Sequence, residues 1–172
     1  MSAAPAELAR RARAVRLAIF DVDGVLTDGT LYIGAQGEAF KAFNILDGHG
    51  VKMLQSAGVG TAILSGRSSE AVARRAGELA IAHVIQGSPD KVADFERLIA
   101  RLGVAADACA FVGDDLPDLA VMGRCGLAVA VANAVEAVKA TAHYVTRASG
   151  GRGAVREFCE LVLEARAAGE RA

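Results

Sequence analysis

Leu17-Ala18-Ile19-Phe20-Asp21-Val22-Asp23-Gly24-Val25-Leu26-Thr27-Asp28 is the stretch on which the fold turns. Four apolar residues in a row, without polar alternation, describe a strand covered on both faces, as in a parallel sheet. The run stops at a carboxylate, and a second carboxylate follows two positions on. If extended geometry persists past the strand end, Asp21 and Asp23 point to the same side of the chain.

The same grammar repeats outward from this stretch. Short apolar runs at 60–64, 83–85, 109–112 and 127–131 alternate with segments of helical periodicity. The spacing predicts a helix over 48–56, after Asp47 as N-cap and closed by Gly58. It predicts a second over 69–79 after Ser68, and a third over 89–102 with Ser88 as cap, Pro89 at the first helical position and Gly103 just beyond the end. A fourth covers 116–123. Strand and helix in alternation describe βαβ units, hence a Rossmann-like three-layer α/β sandwich around a central parallel sheet. The segment 30–43 differs: Leu31-Tyr32-Ile33 and Ala39-Phe40-Lys41-Ala42-Phe43 flank Gly34-Ala35-Gln36-Gly37, the pattern of a β-hairpin flap. Further on, 135–141 reads as a helix, 144–146 as an edge strand and 154–168 as a terminal helix. Ser149-Gly150-Gly151-Arg152-Gly153 before it reads as a flexible linker, and 1–16 as a leading helix or frayed arm. No internal repeat or domain boundary interrupts the 172 residues, which suit a single domain burying roughly 70% of its unfolded surface.

Composition excludes several functions. Lys+Arg at 19 against Asp+Glu at 20 leaves a net charge of −1, so no basic field exists to hold a nucleic acid. No apolar run approaches the roughly 20 residues of a spanning helix, and no apolar stretch of secretory length opens the chain. Cys109, Cys125 and Cys159 stand apart, odd in number and without C-x-x-C spacing, which reads as buried reduced thiols in a cytoplasmic protein. His49, His83 and His143 lack metal-ligand spacing and read as structural or peripheral.

In an open parallel sheet, ligands bind beyond the carboxyl ends of the strands. There the chain places Asp21 to Asp28, then Ser65-Gly66-Arg67, then Gly113-Asp114-Asp115-Leu116-Pro117-Asp118. Carboxylates converging from two strands repel one another unless a cation sits among them, and Mg²⁺ takes such hard oxygen ligands. Ser65, at a strand-to-helix turn, can hold a phosphate oxygen together with neighbouring backbone N–H groups. Alone it is a weak mark, since Ser68 and Ser69 are also placed to cap the helix. Lys91 lies in the first turn of its helix, where the macrodipole disfavours a cation; a nearby anion would resolve the conflict.

Asp21-x-Asp23-Gly-Val, Ser65-Gly66, Lys91 and Gly113-Asp114-Asp115-x-x-Asp118, in that order, resemble the four motifs of the haloacid dehalogenase superfamily of phosphohydrolases. The resemblance implies that Asp21 attacks phosphorus to form an aspartyl-phosphate. It implies that Asp23 protonates the leaving alcohol and then activates water. Asp21, the backbone carbonyl of Asp23, and Asp114 would hold Mg²⁺, while Ser65, Gly66 and Lys91 would bind the phosphoryl oxygens. The chemistry agrees, because a carboxylate attacks a phosphate only when the phosphoryl charge is offset. Neither the interval from Asp28 to Ser65 nor that from Lys91 to Asp114 has room for a cap domain. A capless site needs its lid from a macromolecular substrate or from a neighbouring subunit, and the apolar hairpin favours the neighbour.

Asp21 to Gly29, Phe43-Asn44-Ile45-Leu46-Asp47-Gly48-His49-Gly50 and Gly150-Gly151-Arg152-Gly153-Ala154-Val155-Arg156-Glu157 resemble, more narrowly, the family of 3-deoxy-D-manno-octulosonate 8-phosphate phosphatases. These are capless homotetramers of lipopolysaccharide precursor synthesis, in which the hairpin builds the oligomer and the glycine-rich tail reaches a neighbouring site. By that resemblance Asp23, Asn44, Ile45, Leu46, Asp47, Gly48, Lys52, Arg67, Arg75 and Lys91 would contact substrate, with Arg152 closing over it. Arginine suits the bidentate recognition an acidic sugar phosphate offers, although ordinary exposed helix charges account for Lys52, Arg67 and Arg75 equally well. Ala80 and Asn133 depart from the family pattern at positions expected to touch none of the chemistry. Two other readings remain at this point. A phosphatase of nine-carbon sialic-acid-type sugar 9-phosphates shares all four motifs, but Arg67 with Arg75 favours the eight-carbon sugar. A phospho-acceptor receiver domain would carry its aspartate on the third strand rather than after the first.

Overall fold

The computed structural model describes residues 4–170; the first three residues of the arm expected over 1–16 lie outside them, as do residues 171 and 172. The elements run α1 (Pro5–Ala14), β1 (Leu17–Phe20), β2 (Tyr32–Gly34), β3 (Gly37–Phe40), α2 (Ile45–Ser56), β4 (Gly60–Leu64), α3 (Glu70–Glu78) and β5 (His83–Ile85). They continue through α4 (Lys91–Leu102), β6 (Cys109–Gly113), α5 (Leu119–Met122), β7 (Leu127–Ala130), α6 (Glu136–Thr141), β8 (Tyr144–Val145) and α7 (Ala154–Glu170). Six strands form one sheet in the order β5-β4-β1-β6-β7-β8, every pair of neighbours parallel. The alternation of strand and helix therefore folds as the βαβ pattern demands.

β1 is central: Leu17 faces Gly60 on one side and Cys109 on the other. No residue of β1 is more than 1% exposed, which is why its sequence carries no polar alternation. From β1 the chain steps outward to β4 and β5, then returns to β6 on the opposite flank. Right-handed crossovers put the helices of the two excursions on opposite faces. Accordingly α1 and α2 pack on α7, while α4 packs on α5 and α5 on α6. The Phe20 ring meets Phe158 of α7 edge-on, with centroids 5.8 Å apart. The reversal leaves a crevice where the carboxyl ends of β1 and β6 part, the place for a ligand in such a sheet.

Helix starts differ from the sequence reading where a neighbouring residue caps instead or the expected cap finds another partner. Asn44, not Asp47, caps α2, its Oδ1 accepting from the N–H of Leu46 at 2.7 Å. Asp47 sits inside the first turn of α2 and caps α7 instead, accepting from Gly153 at 3.2 Å and Arg156 at 2.8 Å. Asp90 caps α4 through the N–H groups of Val92 and Ala93, so the helix opens at Lys91 rather than Pro89, and Ser88 donates to Asp94. Gly103 ends α4 at φ 63°, in the left-handed region as expected. Ser69 precedes α3 without capping it; its hydroxyl donates to Glu38 of the hairpin. The helix expected over 116–123 divides into a 3₁₀ turn, Leu116–Asp118, and the short α5.

The hairpin is antiparallel and shorter than 30–43, with Tyr32 stacked on Phe40 at 4.3 Å between centroids. Leu31, Ile33 and Phe40 are exposed. The segment 149–153, expected as a flexible linker, is instead seated on the loop after β1. Gly150 donates to Asn133 Oδ1 at 2.6 Å, and Gly151 to the carbonyl of Val25 at 2.9 Å. A Cβ at position 150 would lie 1.7 Å from the carbonyl oxygen of Gly24. Gly150→Ala is expected to destabilise the protein by more than about 2 kcal/mol, because backbone cannot yield as a side chain can. Gly77→Ala, on the exposed face of α3 with nothing within 4 Å of the new Cβ, is expected to add about 0.5–1 kcal/mol. Urea unfolding checks both, and a Gly150→Ala protein as stable as wild type would show that the tail is not seated.

Candidate active site

Asp21 leaves β1 with its N–H donating to the carbonyl of Val112, 3.1 Å away on β6, and Asp114 follows β6 directly. Asp21, Asp114 and Asp118 each place a carboxylate oxygen within 4.8 Å of the others. Lys91 enters this cluster, its Nζ 3.1 Å from Asp21 Oδ2 and 2.7 Å from Asp118 Oδ1. The unfavourable place of Lys91 at the start of α4 is thus explained by two carboxylates of the chain itself. Burial works against its charge, but Asp21 and Asp118 more than offset this and raise its pKa. Asp118 Oδ2 accepts from the N–H groups of Asp114 and Asp115 at 3.0 and 3.3 Å. Asp118 carried no assigned role in the sequence reading. Its signal was its place three residues after Asp115, where it closes the capping box of the 3₁₀ turn.

Glycine makes the approach possible. Gly24 holds φ 90°, and a Cβ there would stand 2.0 Å from Asp114 Oδ2. Asp21 Oδ1 and Asp114 Oδ1 are buried without a hydrogen-bond partner, a costly state for acceptors unless a cation satisfies them. Burial, then repulsion from Asp118, lifts the Asp21 pKa to about 6. Burial, then Asp21 and Asp118, lifts that of Asp114 to about 7. Two hard, unpartnered oxygens of this kind fit Mg²⁺, which neutralises them and the phosphoryl charge beside them when it is bound.

Ser65, only 3% exposed, directly follows β4 and accepts from the Arg67 N–H at 3.5 Å. Together with Asp21, Asp23, Gly66, Arg67, Lys91 and Asp114 it lines a cleft of about 300 Å³. Asp23 is engaged from two directions, by Lys41 of the hairpin at Oδ1 and by Arg67 Nε, 3.4 Å from Oδ2. Sequence reasoning missed Lys41; the clue was one charge in the apolar run from Ala39 to Phe43.

The remaining substrate candidates do not line that cleft. Arg75 bonds Glu78 at 3.0 Å and lies against Gly48, where a Cβ would meet its Nη2 at 2.3 Å. Asn44 and Asp47 are occupied as helix caps, while Ile45, Leu46 and Lys52 of α2 are exposed. Phe43 and Arg75 also line a wider groove between the hairpin and α3, with Glu38, Lys41 and Arg74. Arg152 is exposed, its Nη2 3.5 Å from Asp28 Oδ2 of the same chain. Asn133, expected to touch nothing of the chemistry, donates to the carbonyl of Gly24 at 3.1 Å while accepting from Gly150. It therefore braces the residue that follows Asp23.

Residues 77–158 match the family model of the haloacid dehalogenase-like hydrolases. Over 157 residues the chain is 46% identical to the 3-deoxy-D-manno-octulosonate 8-phosphate phosphatase KdsC of Yersinia pestis, a match covering 91% of this chain and 84% of that protein. The chain belongs to the KdsC family. A probable YrbI family phosphatase from Pseudomonas syringae superposes with a TM-score of 0.92 at 51% identity, over 96% of this chain and 97% of that one. The KdsC-family structure from Moraxella catarrhalis, a complex with magnesium ion, phosphate ion and KDO, superposes with a TM-score of 0.93 at 41% identity, over 98% and 97% of the two chains.

The raised carboxylates have a measurable consequence. Asp21 and Asp114 bind protons more tightly folded than unfolded, so their contribution to the stability of the metal-free protein declines as pH rises from 3.8 through about 7. Mg²⁺ binds the ionised form, so its stabilising effect should grow across the same window and vanish below it. Thermal melts with Mg²⁺ and with chelator, from pH 4 to 8, check this, and Asp114→Asn should remove most of the difference.

Proposed function

We propose that this chain hydrolyses 3-deoxy-D-manno-octulosonate 8-phosphate to the free sugar acid and phosphate, with Mg²⁺, as a step of lipopolysaccharide precursor synthesis. One observation carries the reading: a buried aspartate beyond the central strand meets a lysine and two further carboxylates at the switch point of a KdsC-family sheet. In the first half-reaction an Asp21 oxygen bonds to phosphorus as the phosphorus–oxygen bond to the sugar breaks, and Asp23 passes its proton to the departing oxygen. In the second, a water oxygen bonds to phosphorus, the bond to Asp21 breaks, and Asp23 takes the water's proton. Asp21, the Asp23 carbonyl and Asp114 hold Mg²⁺; Ser65, Gly66 and Lys91 grip the phosphoryl oxygens and offset their charge.

Beyond Asp23 and Lys91, Arg67 is the substrate candidate that reaches the chemistry, through Asp23. Asn44, Ile45, Leu46, Asp47, Gly48, Lys52 and Arg75 form the sugar-acid contacts, and Arg152 closes over the bound molecule. That none of this group lines the cleft of the aspartates supports a site completed by a neighbouring subunit. The exposed Leu31, Ile33 and Phe40 of the hairpin supply an apolar surface for a homotetramer. We place the enzyme in the cytoplasm: the three cysteines are buried and unpaired. No helix of the described residues is long and apolar enough to cross a membrane.

Phosphate release from a panel of sugar phosphates tests the reaction. Mg²⁺-dependent turnover of the eight-carbon acid phosphate is expected, with an acid-quenched phosphoenzyme on Asp21. Asp21→Asn should lower the rate at least about 1,000-fold, as removal of a nucleophile does. Full activity in that variant would overturn the mechanism, and preference for a nine-carbon acid 9-phosphate would move the substrate. Gel filtration is expected to return a tetramer, and a fully active monomer would refute the shared site.

A further inference from the structure

We propose that Lys41, carried by the hairpin, is a positioning residue that aims the Asp23 carboxyl at the leaving oxygen; the inference rests on the reading of Asp23 as the acid of the first half-reaction. Lys41 lies just past β3, yet its side chain is only 2% exposed. It contacts Asp23 Oδ1 and stands 3.1 Å from Glu38 Oε2. Glu38 in turn accepts from the Ser69 hydroxyl and lies 3.4 Å from Arg67 Nη2. Each Asp23 oxygen thus meets a different cation delivered by a different element, Lys41 from the hairpin and Arg67 from the turn after β4.

The two cations are not equivalent. The Arg67 side chain is 48% exposed, free to turn toward a ligand, whereas burying the Lys41 ammonium is costly unless its partners are fixed. Glu38 supplies that fixity by tying the ammonium to Ser69 at the start of α3. A carboxyl that serves the leaving oxygen and then the water must hold its direction to within a fraction of an ångström. The hairpin therefore does more than offer an apolar outer surface: its base sets the reach of the acid, and anchoring of the hairpin is coupled to proton delivery.

The alternative is that Lys41 merely fastens the hairpin to the body. Substituted phenyl phosphates with Mg²⁺ separate the two, because proton delivery matters most for the poorest leaving group while a loosened fold costs every member alike. In Lys41→Met, the plot of log kcat/KM against leaving-group pKa is expected to steepen toward that of Asp23→Asn. The loss on phenyl phosphate should exceed that on p-nitrophenyl phosphate about tenfold, a share of the roughly 100- to 10,000-fold that general acid catalysis supplies. Lys41→Arg, which can still pair with Asp23, should restore the wild-type slope, and Lys41→Gln carries the same measurement if methionine unfolds the hairpin. A uniform loss, or none, overturns the inference. Absence of Asp21-dependent phosphate release from the wild-type protein would instead overturn the phosphatase reading itself.

Discussion

One buried ammonium among three close carboxylates is the constraint on which the rim of this sheet depends. Lys91 satisfies Asp21 and Asp118 and stays charged through them. Asp114 receives no such partner, and one oxygen on each of Asp21 and Asp114 is left bare. The cluster is therefore short of positive charge, and a divalent cation is the economical remedy. The pairing of β1 with β6, the start of α4 at Lys91, and a glycine at 24 that lets Asp114 approach are all conditions for that arrangement.

The loop carrying Asp21 and Asp23 is itself held from behind. Asn133 bridges the carbonyl of Gly24 and the N–H of Gly150, and Gly151 bonds Val25. Asp47 of α2 caps α7, directly after this glycine seat. The loop after β1, the tail and the start of α2 are thus one hydrogen-bonded assembly. Through the carbonyl of Gly24, Asn133 helps set where Asp23 stands. From the front, the hairpin reaches the same aspartate through Lys41, so Asp23 is constrained on both sides.

Much of the fold was legible because β1, β4, β6 and β7 are buried on both faces and therefore read as unbroken apolar runs. The motif aspartates, Ser65 and Lys91 were legible because strand ends in a parallel sheet are where chemistry gathers. Cap assignments were less so. Asp47, Asp90, Ser69 and Ser88 are all competent N-caps, and sequence proximity does not reveal which has a better partner elsewhere. Asp47 went to α7, more than a hundred residues away, and Ser69 to the hairpin.

The sequence alone determined the order of elements, the strand ends that bear carboxylates, and the types of group that phosphoryl transfer requires, since these follow from local periodicity and spacing. Only the tertiary structure decided that the glycine tail is packed rather than flexible, that Asp118 orients Lys91, and that Lys41 reaches Asp23. Each of those depends on groups brought together from distant parts of the chain. In such encounters burial leaves a polar group no water, and it takes whatever partner the fold supplies.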